Sequence, residues 1–195
     1  MDGYKKRSLK KRQEILRASE ELFLREGIRG STMKEIAKSA KVSPVTIYNY
    51  FGCKERVVYE VVKKLLEDYT RRFEDIVYDS SFTFREKANK LLNFEIELID
   101  SLSEDLVQTF YRPNDKDLKK LVSWYTDNRL VVGLQHMIRE GRKEGEVSTA
   151  VEEESIMVYL ELFKSLTKVD VRHDKNRLKD LMHMFFYGIG GKHGH

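Results

Sequence analysis

Between Thr32 and Phe51 the sequence TMKEIAKSAKVSPVTIYNYF sets hydroxyl, amide and methyl groups at intervals suited to reading duplex DNA. A helix beginning at Pro44 would present Val45, Thr46, Tyr48 and Asn49 on one side, groups able to meet base edges and phosphates. Its other side carries Ile47, ten residues after the small Ala37, with apolar Val42 between them. That is the spacing by which one short helix packs across another in a helix-turn-helix unit, and Ile36 and Ala40 complete the cover. The outward face of the second helix is then available to a major groove about 12 Å wide. Other chemistries have less support. His136, His173, His183, His193 and His195 show no H-E-x-x-H spacing, and no phosphate loop or nucleophile elbow occurs. The Lys192-His193-Gly194-His195 end reads as a tail capable only of adventitious metal binding. No enzyme activity, cofactor or metal site is expected.

Three local signals position this segment. A first helix is expected from about Ser8 to Glu26, with Ile15, Ala18, Leu22 and Phe23 at helical spacing, a basic opposite face, and Gly27 to end it. Thr32 and Glu35 form the pattern of a capping box that opens a second helix ending near Ala40. Ser43-Pro44 opens a third, with a capping hydroxyl followed by proline where the missing N–H costs nothing.

Beyond Gly52 the pattern becomes long and amphipathic. Val58, Val62, Leu65, Tyr69, Phe73 and Ile76 make one stripe, and Ala88, Leu91, Leu92, Leu98, Ile99 and Leu102 another. A loop near 112–115 precedes a long helix carrying Leu118, Val122, Tyr125, Leu130, Leu134, Met137 and Ile138, closed by Gly141 and Gly145. Thr149 and Glu152 suggest another capping box, ahead of Ile156, Tyr159, Leu160, Phe163 and Leu166. A final helix from about residue 174 to 190 would carry Leu178, Leu181, Met182, Phe185, Phe186 and Ile189. Two prolines in 195 residues agree with helix throughout, so the expected fold is all-α with about nine helices.

Charge is unevenly placed. Residues 1–52 hold twelve Lys and Arg against six Asp and Glu, whereas residues 53–195 hold twenty-four against twenty-six. A basic head on a near-neutral body points to an anionic partner such as nucleic acid. The lone Cys53 cannot form an intrachain disulfide and fits a reducing compartment. The basic start leads into no apolar signal core, and no run approaches the roughly twenty apolar residues of a membrane helix. A soluble cytoplasmic protein without membrane contact is expected.

Taken together, Leu22-Phe23, Gly27, Thr32, Ile36-Ala37, Val42-Ser43, Thr46, Ile47-Tyr48, Tyr50-Phe51 and Lys54-Glu55 resemble the signature of the TetR (tetracycline repressor) family. The resemblance covers about residues 9–58. It implies a helix-turn-helix DNA-binding domain over 1–53 and a helical effector-binding and dimerisation domain over 54–195. It further implies a transcriptional regulator, most simply a repressor, that binds palindromic operator DNA as a homodimer and is released by a small-molecule effector. Thr32, Ser43, Tyr48, Tyr50 and Lys54 match phosphate-contacting positions, leaving Val45, Thr46 and Asn49 for base edges.

By the same resemblance the last two helices form the dimer interface, for which Tyr159, Phe163, Met182, Phe185, Phe186 and Ile189 are candidates. The middle helices would enclose the effector, with Phe94, Phe110, Tyr111, Trp124, Tyr125, His136 and Met137 as candidate walls. Two positions depart from the family pattern. Lys41 stands where glycine is usual, and Cys53 replaces a serine cap, which puts its thiol near a helix N-terminus where thiolate is favoured. A helical adaptor using the same fold for protein contacts is the competing reading.

Overall fold

In the computed structural model, residues 3–170, 176–177, 179–181 and 183–184 are described. The chain opens with α1 (Gly3–Glu26), α2 (Met33–Ser39) and α3 (Pro44–Phe51), then α4 (Lys54–Val77). There follow α5 (Phe84–Ser101), α6 (Glu104–Tyr111), α7 (Lys116–Tyr125), a π-helical turn (Thr126–Leu130), α8 (Val131–Lys143) and α9 (Glu153–Asp170). No strand occurs among the described residues, and none of their helices is long and apolar enough to cross a membrane.

Caps set the short elements where the sequence places them. The Thr32 hydroxyl accepts from Glu35 N at 3.2 Å while the Glu35 carboxylate accepts from Thr32 N at 2.6 Å, closing the box on α2. At its other end Val42 N donates to Ala37 O and Lys41 N to Lys38 O, a Schellman closure that needs a left-handed residue at Lys41 (φ 53°). Ser43 then caps α3, accepting from Thr46 N at 3.1 Å, with Pro44 in the first helical position. The same box chemistry, from Thr83 and Glu86, opens α5, and Asp115 caps α7 by accepting from Asp117 N and Leu118 N.

Two apolar clusters fill the interior. The first joins Ile15, Leu22 and Phe23 of α1, Ile36 and Ala37 of α2, and Ile47 and Phe51 of α3 to Val57, Val58, Val61 and Val62 of α4. It continues without a break into Ile99, Leu106, Val107, Leu118 and Tyr125. The second gathers Phe73 and Val77 at the far end of α4 with Phe84, Leu91, Phe94, Met137, Ile138, Val147 and Ile156. Helix α4 therefore runs through both.

Several expectations need correction. The segment before the 112–115 loop holds an additional helix, α6, because Leu102 turns extended (ψ 145°) and Ser103 restarts the chain with Leu106 and Val107 facing inward. The helix expected to be regular from Leu118 to Ile138 is interrupted by the π-helical turn, where Thr126 Oγ1 and Asn128 Nδ2 donate back to the carbonyls of Val122 and Trp124. Gly141 lies inside α8 instead of ending it; a Cβ there would sit 2.5 Å from the Phe84 ring, so its role is close approach of two helices. The Thr149–Glu152 box does not form. Thr149 stays in a turn stabilised by Ser148 Oγ accepting from Ala150 N, and α9 starts at Glu153. The helix expected over 174–190 falls largely outside the described residues, although Lys179 reaches Asp100 of α5 at 2.6 Å.

Lys41 and Gly27 share left-handed backbone but differ in what surrounds them. Gly27 (φ +80°) has no room for a Cβ, which would lie 2.5 Å from Asp105 Oδ1. Thermal unfolding should show Lys41→Gly stabilising by about 1 kcal/mol and Gly27→Ala destabilising by at least about 1 kcal/mol. A destabilising Lys41→Gly, a stabilising Gly27→Ala, or no shift for either would contradict these assignments.

Candidate nucleic-acid interface

Helix α3 sorts its residues by face. Ile47 and Phe51, four apart, are buried, while Val45 is 66% and Tyr48 51% exposed and Asn49 lies open beside them. Exposed apolar and aromatic groups of this size, on a helix whose other face is fully sequestered, form a surface that water alone does not explain. Both capping residues, Thr32 and Ser43, are also exposed. Each uses its hydroxyl oxygen as a backbone acceptor.

Electrostatics gathers the same residues. Hydrogen bonding from Thr32 N, and then from its hydroxyl, holds the Glu35 carboxyl below its usual range, with Lys54 and Lys38 adding to the effect. Lys54, the half-buried first residue of α4, thus acts on the α2 N-cap. The exposed Lys34, Lys38 and Lys41 surround this surface, and Lys5, Lys6 and Arg7 stand exposed on α1. Arg12, by contrast, has a structural role. It pairs with Glu60 at 2.9 Å and lies 5.1 Å over the Phe51 ring, fastening α1 and α3 to α4.

Two of the expected DNA-facing residues have internal partners. Thr46 is half-buried, with its hydroxyl 2.9 Å from that of Ser43. Tyr50 packs on the core and its hydroxyl accepts from Ser8 Oγ at 3.3 Å, tying the start of α1 to the end of α3. Cys53 is exposed at the N-cap of α4 and makes no side-chain capping bond.

The residues expected to wall an effector site do not form one group. Phe94 and Met137 are buried in the second cluster, with Phe94 stacked on Tyr69 at 5.3 Å. Phe110, Tyr111 and Tyr125 belong to the first, where the Tyr125 hydroxyl donates to Glu67 at 3.3 Å. Trp124 is 52% exposed, edge-on to Tyr125, and His136 is half-buried against Tyr78 at 4.8 Å. An open groove of about 690 Å³ lies elsewhere, between α1 and α4, lined by Leu16, Leu24 and charged residues and spanned by the Arg12–Glu60 and Lys64–Glu20 pairs. Of the interface candidates, Tyr159 is exposed on α9. Met182, Phe185, Phe186 and Ile189 lie outside the described residues, as does the side chain of Phe163.

The joint between the α1–α3 unit, the candidate DNA reader, and the remaining helical body has no local sequence pattern. Asp105 Oδ2 of α6 accepts from Arg29 N at 2.7 Å, and Ser103 Oγ donates to Phe23 O at 2.9 Å, so α6 grips the turn between α1 and α2. The sequence offers for it only the pair Ser103 and Asp105, polar residues at the opening of a helix that carries Leu106 and Val107 inward. Glu95 is a charged residue in the inward stripe that includes Leu91, Leu92 and Ile99.

Comparison with known proteins places this geometry. Residues 15–61 match the family of bacterial regulatory proteins described as tetR. The chain is 32% identical over 91 residues to the HTH-type transcriptional regulator LuxR of Vibrio harveyi, covering 47% of this chain and 44% of that protein. It is 30% identical over 91 residues, with the same coverage, to the HTH-type transcriptional repressor KstR2 of Rhodococcus jostii. These matches span under half the length of the curated relatives. In overall fold the chain is similar to the Bacillus subtilis transcriptional regulator FadR in complex with stearoyl-CoA, with TM-score 0.63 and 20% identity over 91% of this chain and 98% of that one. It is also similar to a TetR/AcrR regulator from Thermobifida fusca, with TM-score 0.67 and 19% identity over 91% and 97% of the two chains.

If the exposed α3 face and the α4 start meet a duplex, Tyr48→Ala should weaken DNA binding about tenfold at moderate salt. Lys54→Ala should lower the slope of log affinity against log salt by about one. Unchanged affinity and slope in fluorescence-anisotropy titrations would remove both residues from the interface.

Proposed function

The chain belongs, through residues 15–61, to the tetR family of bacterial regulatory proteins, and from that premise we propose that it is a ligand-responsive transcriptional regulator acting as a repressor. It binds palindromic operator DNA as a homodimer and is released by a small-molecule effector. The observation that carries this reading is the face of α3, where Val45, Tyr48 and Asn49 are open while Ile47 and Phe51 anchor the helix from behind. Thr32, Ser43, Tyr48 and Lys54 serve as phosphate contacts, and Val45 and Asn49 read bases by methyl contact and amide hydrogen bonding. Thr46 and Tyr50 support them through Ser43 and Ser8.

A helix of eight residues reads too few base pairs for specificity, so two copies on two half-sites are required. Support for a second copy comes from α9, where Val158, Tyr159 and Leu162 are exposed apolar residues on one helix. Phe163, Met182, Phe185, Phe186 and Ile189 complete the proposed interface.

Effector control rests on the helices between reader and interface. Phe94 and Met137, which share one apolar cluster, are the proposed walls there, and the neighbour of known fold that holds stearoyl-CoA supports a ligand-bearing body. A place in the cytoplasm follows from action on DNA.

The test is a nuclease footprint of the purified chain on DNA upstream of its own gene, paired with sedimentation. The expected result is two protected half-sites about one helical turn apart, with a dimer at micromolar concentration. No protection at physiological salt, together with a stable protein partner, would favour the adaptor instead.

A further inference from the structure

Glu95 is a carboxylic acid in the interior of the body. It is only 8% exposed, on the inward side of α5, and the Tyr69 hydroxyl of α4 donates to its Oε1. From α6, Tyr111 packs half-buried against the first cluster, with its phenol close enough for the two groups to act on each other. The rings around it are stacked: Tyr69 on Phe94 at 5.3 Å and on Phe73 at 6.4 Å. The charged neighbours lie outside this pocket. Arg72 of α4 lies over the Phe94 ring at 4.6 Å and meets Glu97 of α5 at 3.5 Å, both side chains well exposed. His136 of α8 is engaged with Tyr78 at the far end of α4.

This cluster stands where both connections to the DNA reader meet. Tyr69 belongs to α4, which begins at Lys54 beside the α2 cap and whose first half packs in the reader's core. Tyr111 is the last residue of α6, whose first turn holds Arg29 N and Phe23 O through Asp105 and Ser103. An ionised carboxylate here has the Tyr69 hydroxyl as its donor and no ion pair among the described residues to offset its loss of water, whereas the neutral acid carries no such penalty.

We propose that Glu95, bonded to Tyr69 of α4 and beside Tyr111 of α6, is a protonation-sensitive joint: as the neutral acid it holds the two helices in the DNA-binding arrangement, and as the carboxylate it loosens them. This regulation rests on the reading of the chain as an operator-binding protein. Burial pushes the Glu95 carboxyl up to about 7, opposed by the Tyr69 hydrogen bond, which lowers it. Burial likewise raises both phenols, so Tyr69 and Tyr111 keep their protons while Glu95 titrates. With the folded carboxyl above its unfolded value, the folded state holds an extra proton between roughly pH 4.5 and 7. Stability is therefore greatest below that window and falls as pH rises through it.

The test measures the full chain and two variants in two ways. Urea unfolding from pH 5 to 8 should show a loss of stability on raising pH that Glu95→Gln abolishes, because the amide does not titrate. Tyr69→Phe should move the midpoint of the Glu95 side-chain carboxyl, followed by carbon NMR, to higher pH, since the bond that favours the carboxylate is gone. Operator affinity of the wild-type chain at constant salt should fall roughly tenfold between pH 6 and 8, and that of Glu95→Gln should stay level. An unchanged unfolding profile in Glu95→Gln, or an unmoved midpoint in Tyr69→Phe, would overturn the proposal. So would normal titration of Glu95 with operator affinity independent of pH. Absence of operator binding at every pH would instead count against the proposed function, and with it the coupling, while the unfolding and NMR readouts still report on the joint.

Discussion

Helices of seven and eight residues do not hold together alone in water, where about 12–15 residues are marginal even for good helix formers. The chain depends on overcoming this, since α2 and α3 carry the surface proposed to meet DNA. Caps at Thr32 and Ser43 satisfy their first donors, and the turn at Lys41 closes the carbonyls of α2. The larger contribution comes from inserting Ile36, Ala37, Ile47 and Phe51 into a core shared with α1 and α4. Fully burying residues of the Ile and Phe class contributes roughly 1.5–3 kcal/mol each. The reader is thus stable only as part of the larger cluster, so a change in α4 or α6 reaches it directly.

That dependence connects structure to regulation. Helix α4 shares its first half with the reader's core and its second half with Phe94, Met137 and Ile138. A second route passes through α6, whose Ser103 and Asp105 bond to backbone at the end of α1 and in the turn that follows. Two rigid connections from one body to one head provide the physical network that coupling between sites requires. Arg129 paired with Glu74 ties α4 to the π-helical turn, and Lys64 paired with Glu20 ties it to α1.

The reader was legible in sequence because its signals are local. Capping boxes, a proline at a first helical position and the Ala37–Ile47 spacing each act within a few residues, and α2 and α3 appear where they place them. Long-range features were less visible. The π-helical turn at Thr126–Leu130 leaves the apolar pattern of its helix unbroken, and α6 is short enough to be taken for a connection. Ser8 with Tyr50, and Arg29 with Asp105, meet across forty-two and seventy-six residues, a proximity that no periodicity encodes. Thr149 and Glu152 show the converse: a capping pattern that stays in a turn, where Ala150 N donates to Ser148 Oγ, while α9 starts at Glu153. Glu95 could have been marked, because a carboxylate in an otherwise apolar stripe either finds a partner or changes its charge.

In the proposed complex α3 enters the major groove by its Val45, Tyr48 and Asn49 face while Ile47 and Phe51 stay in the core. A crystal structure of the chain on its own operator tests this most directly. The account predicts Val45 and Asn49 against base edges, Thr32, Ser43, Tyr48 and Lys54 against phosphates, and one copy of the chain on each half-site. A complex in which α3 faces away from the duplex, or in which one copy contacts DNA through the body, would contradict it.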